Sequence, residues 1–126
     1  MHPSLLAVPA LMGAFACLKK CVGPRRTVQA GARVADFLRP LHLLAPCEPT
    51  ARELRLVQRC TFPPHVACLE LACAWLVWLA VHGRHGAVRI GKCTDGGQIR
   101  MHAWVVTADG EYFADARFTP CFGDFS

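Results

Sequence analysis

Thirteen consecutive residues near the middle of the chain, Cys68-Leu69-Glu70-Leu71-Ala72-Cys73-Ala74-Trp75-Leu76-Val77-Trp78-Leu79-Ala80, include a single charged side chain. A helix that is apolar all round has no face to give to water, so it must be covered on every side. Any fold for this chain is therefore built around this element, predicted to span Val66 to Val81. Pro63-Pro64 cannot sit inside a helix, which places its start between Pro64 and Cys68. A chain of 126 residues can bury one such core and is too short for two ordinary domains.

The flanking elements follow from pattern and punctuation. Leu5 to Cys21 and Val28 to Arg39 read as helices, and Pro40 should stop the second. Ala45-Pro46-Cys47-Glu48-Pro49 is a proline-punctuated loop. Thr50 is an N-cap for a helix through Arg59, and Glu53 completes a capping box. Ala87 to Cys93, Ile99 to Thr107 and Glu111 to Phe118 read as three strands, the last two joined by the hairpin signal Asp109-Gly110. Helices first and antiparallel strands later give an α+β domain. Residues 1–49 are a basic helical region of that same domain, and residues 50–126 are its core.

The chemistry-bearing residues fall in the second half. Cys68 opens the central helix. The first turn of a helix has unpaired N–H groups and the positive end of the macrodipole, an environment that favours thiolate, the reactive form of cysteine. Cys73 lies more than a turn further in and lacks that advantage. For most of the eight cysteines a small buried hydrophobe is the preferred reading. His102 leads one predicted strand and Asp115 lies in the next. With a two-residue hairpin loop Asp115 is the diagonal same-face neighbour of His102, about 7–8 Å away. With a four-residue loop from Thr107 to Gly110 it faces His102 directly. A three-residue loop would put it on the opposite face. An even loop therefore allows a nucleophile, a base and an orienting acid: Cys68, His102 and Asp115.

Cys68-Leu69-Glu70 before an apolar helix, Arg89-Ile90-Gly91, His102-Ala103-Trp104-Val105, Asp109-Gly110 and Asp115 together resemble the lasso-peptide leader peptidases. These are small processing proteases of the transglutaminase-like cysteine protease superfamily. Arg52-Glu53-Leu54-Arg55-Leu56-Val57 is similar to the helix that precedes their nucleophile. Val106 departs from the glutamate common there, and Leu71-Ala72-Cys73 from a serine-containing continuation. The resemblance implies a transglutaminase-like or papain-like fold, with N-terminal helices and a nucleophile-bearing central helix packed on a small antiparallel sheet. It assigns Cys68 as nucleophile, His102 as general base and acid, and Asp115 as the group orienting the imidazole. It implies removal of the leader from a ribosomally made precursor peptide before macrolactam cyclisation. It also implies two protein partners, a separate leader-recognition protein and an ATP-dependent cyclase that receives the freed core.

The remaining features bound that reading. Lys19, Lys20, Arg25, Arg26, Arg33 and Arg39 stand against Asp36 alone in residues 1–40, while basic and acidic side chains cancel over residues 41–126, so the net charge of +5 belongs to the N-terminal third. A solvated face is the ordinary meaning of such a run. A docking surface for an acidic partner or leader is the sharper one. No zinc-finger spacing, phosphate loop or aromatic–basic interleaving points to nucleic acid. With 53% apolar residues, the surface should carry an apolar patch that a partner covers.

The apolar run from Ser4 to Leu18 lacks the preceding basic residues of a signal peptide and is shorter than about 18 residues of span. It reads as a helix packed on a cytoplasmic domain rather than a membrane anchor. Without an export signal the cysteines do not imply disulfides. Zinc held by His65, Cys68, Cys73 and Cys93 is disfavoured because no Cys-x-x-Cys pair exists, and the chemistry needs no metal or organic cofactor. His82 and His85 read as exposed turn residues, and His42 and His65 as solvated or internally satisfied. Two other readings stay open: a transglutaminase-like acyl transferase, and a non-catalytic scaffold of a peptide biosynthesis complex.

Overall fold

The computed structural model describes residues 3–59 and 68–121. A 3-10 turn, Pro3–Leu6, runs directly into helix α1, Ala7–Val22. Pro9 falls in the first turn of α1, where its missing N–H costs little. Gly23, at φ 87°, turns the chain into α2, Pro24–Leu38. That helix starts four residues before the expected Val28, because Pro24 occupies the first helical position, where a fixed φ is an advantage. Its end agrees with the stop expected at Pro40: the α-helix closes at Leu38 and a 3-10 turn, Arg39–Leu41, follows.

Helix α3, Ala51–Arg59, begins on the expected capping box. Glu53 N–H donates to Thr50 Oγ1 at 3.1 Å, and Thr50 N–H donates to Glu53 Oε1 at 3.1 Å. Helix α4 spans Cys68–Val81, and every side chain from Leu69 to Ala80 is buried. The expected start between Pro64 and Cys68 lies outside the described residues, as does His65. Helices α1 and α2 pack on α4, and the sheet packs on it through β2.

Helix α1 runs opposite to both α2 and α4. Near its C-terminal end, α1 places Lys19 on Glu70, with Nζ 2.5 Å from Oε1. Toward its start, Ser4 Oγ accepts from Trp78 Nε1 at 3.0 Å and meets His82 Nε2 at 2.9 Å. Helix α1 is thus antiparallel to α4. After the Gly23 turn α2 runs parallel to α4, and Arg39 Nε donates to Arg84 O at 3.1 Å near the far end of α4. The core fills with Trp75 and Trp78, stacked at 4.5 Å, together with Val8, Val28, Leu76 and Leu79.

His82 is not the exposed turn residue expected from its glycine neighbours. It is fully buried. Its Nδ1 donates to Ala45 O at 2.5 Å, which leaves Nε2 to accept the Ser4 hydroxyl. His85 is exposed, as expected. The helical stretch Pro3–Val22 is also longer than the run counted in the sequence. At 20 residues and a mean hydropathy of 1.7 it is long and apolar enough to cross a membrane by length and composition. Its inner face, Leu5, Val8, Met12 and Phe15, is buried in the core cluster.

The sheet has four antiparallel strands in the order β3-β2-β1-β4. Strand β1 is Ala87–Asp95, β2 Gln98–Thr107, β3 Gly110–Tyr112 and β4 Thr119–Pro120. Thr107 pairs with Gly110 and Val105 with Tyr112. This is the even register in which residue 115 would come opposite His102 if the ladder continued. It does not continue. The third predicted strand, Glu111 to Phe118, is broken at Phe113, whose φ of 65° turns the chain out of the ladder. The chain then crosses to the other edge of the sheet, where β4 pairs with Gly91 and Lys92. Gly91 is required there: a Cβ would lie 2.7 Å from Trp104 Cη2 and 2.9 Å from Thr119 O.

Candidate active site

The first residue of α4 meets β2 just where β3 has ended. Ala103 N–H donates to Cys68 Sγ at 3.1 Å. In a longer hairpin that N–H would belong to a ladder bond with residue 114. The turn at Phe113 therefore frees a backbone donor for the thiol. Cys68 is partly buried, whereas Cys73 is fully buried between α4, Gly31 and Phe15.

His102 lies beside Cys68, close enough for each to shift the ionisation of the other. Its Nε2 lies 2.8 Å from Phe113 O. A carbonyl can only accept, so Nε2 carries a proton and Nδ1 is the nitrogen left for the thiol. The ring is held in place by aromatic neighbours. It stacks on Trp104 at 5.7 Å and 21°, and Phe118 lies against it at 5.0 Å.

The electrostatics separate the two cysteines of α4. Burial pushes the Cys68 thiol up, and the Glu70 charge adds to that. The bond to His102, the Ala103 N–H and the imidazolium charge together outweigh them, and the thiol sits below its ordinary value of 9.0. The Cys73 thiol has burial and Glu70 against it with no compensating donor, and it is pushed up to about 12. His102 is raised above 6.5. Its bond to Cys68 is the main cause, opposed by burial and helped by the Phe113 carbonyl and by the charges of Cys68 and Asp115. A lowered thiol beside a raised imidazole is the signature of a thiolate–imidazolium pair.

Asp115 is near this pair but does not hydrogen-bond to His102. Its carboxylate is engaged by Arg117: Nη2 donates to Oδ2 at 2.7 Å, Nε to Oδ1 at 3.1 Å, and the Arg117 N–H to Oδ1 at 3.0 Å. Those Arg117 contacts hold the Asp115 carboxyl at about 2, with His102 a smaller contributor. Phe118 N–H donates to Asp115 O at 3.1 Å. Asp115 thus closes the turn that presses Phe118 onto the imidazole, and its charge reaches His102 through space. The structure brings Cys68 and His102 together and leaves Asp115 one shell out. The groups that sequence reasoning missed are backbone atoms, Phe113 O and Ala103 N–H, which no residue type announces.

Among the described residues, no three His, Cys, Asp or Glu side chains converge to hold a metal ion. Residues 11–122 match the transglutaminase-like superfamily, and the chain belongs to it. That superfamily includes cysteine peptidases and acyltransferases. Neither a curated protein nor a solved structure matches the chain.

Proposed function

We propose that this protein is a cysteine peptidase that removes the leader from a ribosomally made lasso-peptide precursor. The observation that carries the reading is the contact of Cys68 with His102, on a thiol that also accepts the Ala103 N–H. In this reading the Cys68 thiolate attacks the scissile carbonyl and forms an acyl-enzyme. His102 Nδ1 gives its proton to the leaving amine, then takes one from the water that releases the acyl group. The Cys68 N–H at the start of α4 is the expected oxyanion donor. Phe113 O fixes the imidazole through Nε2, and the Asp115 charge favours its protonated form.

The resemblance in Arg89-Ile90-Gly91 and His102-Ala103-Trp104-Val105 supports the leader-peptidase assignment over other members of the superfamily. The reading includes a cytoplasmic site of action, a separate recognition protein that delivers the leader, and an ATP-dependent cyclase that takes the product. The test is mass spectrometry of a precursor incubated with purified protein and recognition protein. A leader and core separated by hydrolysis, lost in Cys68→Ala, is the expected result. Amide exchange with an added amine would assign acyl transfer instead, and an unchanged precursor would leave the scaffold reading.

A further inference from the structure

The charge-bearing turn between α1 and α2 lies at the same end of the helical layer as Cys68. Three contacts fix this. Lys19 near the C-terminal end of α1 pairs with Glu70, two residues after Cys68. A Cβ on Gly31 of α2 would lie 3.4 Å from the Cys73 Cβ of α4. The opposite ends of the helices meet around Ser4, Trp78 and His82. Helices α2 and α4 run parallel. Five residues back from Gly31 is Arg26, and five back from Cys73 is Cys68, each about 7.5 Å along its helix. Arg26 and Cys68 therefore stand at similar heights on neighbouring helices, whose axes pack about 8–10 Å apart, with the Cys68 thiol itself turned toward β2.

The exposed charges of the α1–α2 turn itself are all of one sign. Lys20, Arg25 and Arg26 are exposed, and among the described residues no carboxylate pairs with them. Lys19 differs, since its charge is spent on buried Glu70. Arg25 and Arg26 also sit in the first turn of α2, which has no acidic residue and no side-chain cap. Cations there oppose the helix macrodipole. Helix stability does not account for them.

We infer that the α1–α2 turn is a substrate-reading surface, on which Lys20, Arg25 and Arg26 select peptides with carboxylate side chains close to the bond that Cys68 attacks. The inference rests on Cys68 being the nucleophile. An extended peptide advances about 3.3 Å per residue, so side chains two to four residues from the scissile bond can span the distance from Cys68 to this turn. Three cations with no carboxylate partner among the described residues enrich anionic ligands nearby, and added salt screens the effect.

The test uses the full chain and two reagents of similar size and opposite character. Iodoacetate is anionic and iodoacetamide is neutral, and both alkylate thiolate. Their rates at Cys68 are read from the alkylated Cys68 peptide by mass spectrometry. Their ratio cancels any change in thiol ionisation. Lys20→Glu/Arg25→Glu/Arg26→Glu should lower the iodoacetate-to-iodoacetamide ratio roughly three- to tenfold at low ionic strength and much less at high salt. The Gln triple variant should give about half the logarithmic effect, and it serves if the reversed variant does not fold.

Peptide vinyl sulfones with Glu or Gln in the two positions before the electrophile extend the test to substrate class. The Glu probe should label wild type faster and lose its lead in the variant. An unchanged reagent ratio, or equal labelling by the two probes, overturns the inference. Cosedimentation with phosphatidylglycerol vesicles that the variant loses, with the ratio unchanged, assigns the turn to a lipid surface and overturns it too. If Cys68 reacts with iodoacetamide no faster than exposed Cys17, the nucleophile assignment fails, and this inference fails with it.

Discussion

His102 gives its Nε2 proton to the carbonyl of Phe113, at 2.8 Å, and not to the carboxylate of Asp115. The acid two residues further on is held by Arg117 and reaches the imidazole only as a charge. Orientation of the base and stabilisation of its charged form are thus divided between a backbone atom and a side chain.

That division predicts unequal effects for two substitutions at one position. Asn at 115 keeps an acceptor for the Arg117 N–H and removes the charge. Ala removes both. Asp115→Asn should lower turnover of bound peptide about three- to tenfold. Asp115→Ala should lower it further by loosening Phe118 from the imidazole. His102→Ala should cost on the order of 100- to 10,000-fold, the range for a general acid–base group. Single-turnover kinetics measure all three. A loss of about 10,000-fold in Asp115→Asn, the scale of a group bonded directly to the base, would show that Asp115 orients His102 directly.

The pH dependence follows from the same pair. The thiol titrates below 9.0 and the imidazole above 6.5. The active form needs the thiolate and the protonated imidazole together. Activity should rise with pH as the thiol ionises and fall as the imidazolium loses its proton, with apparent values that belong to the pair. Asp115→Asn removes a negative charge that favours the imidazolium, so the falling limb should move to lower pH. At pH 7 iodoacetamide should label Cys68 and leave Cys73, held at about 12, unmodified. Cys73→Ala should keep cleavage, and Cys68→Ala should abolish it.

Much of this arrangement is legible in the sequence, and the exceptions share a cause. The all-round apolar run announces α4, since no alternative exposes so few polar groups. Thr50 and Glu53 announce a cap because both side chains must meet N–H groups at fixed spacing. Asp109-Gly110 announces the hairpin, while its register, open in the sequence, comes from the pairing of Thr107 with Gly110. What cannot be read is the break at Phe113, because a phenylalanine at φ 65° breaks the steric preference that sequence reading depends on. That one residue ends β3, frees Ala103 N–H and places the carbonyl that holds His102. The burial of His82 is hidden for a similar reason. Its partners Ser4 and Ala45 lie 78 and 37 residues away, beyond any local pattern.

The pair of Lys19 and Glu70 yields a stability prediction. Glu70 is 2% exposed, and its Oε2 has no hydrogen-bond partner among the described residues, so Lys19 is its principal compensation. Removing one member of a buried pair leaves an uncompensated charge, at about 3–5 kcal/mol when both are buried. Lys19 is 32% exposed, so water takes up part of the loss. Lys19→Met should destabilise the fold by about 2 kcal/mol in urea denaturation. Lys19→Met/Glu70→Gln should recover most of it, because the unpaired charge is then gone. A double variant no more stable than the single would mean that Lys19 contributes by packing its stem, not by charge.

The last prediction concerns delivery of the precursor. The proposed reading includes a separate leader-recognition protein. A separate protein that binds the leader would supply recognition by holding the scissile bond near Cys68. Tethering turns a bimolecular encounter into an intramolecular one, at effective concentrations of roughly millimolar for a short flexible link. At micromolar precursor, cleavage should therefore be about 100- to 1000-fold faster with the recognition protein than without it, and the advantage should vanish at millimolar precursor. Joining the leader-binding protein to this chain by a flexible linker should preserve the stimulation. Equal rates with and without the partner at micromolar precursor would remove delivery from the mechanism and leave recognition to the surface around Cys68 itself.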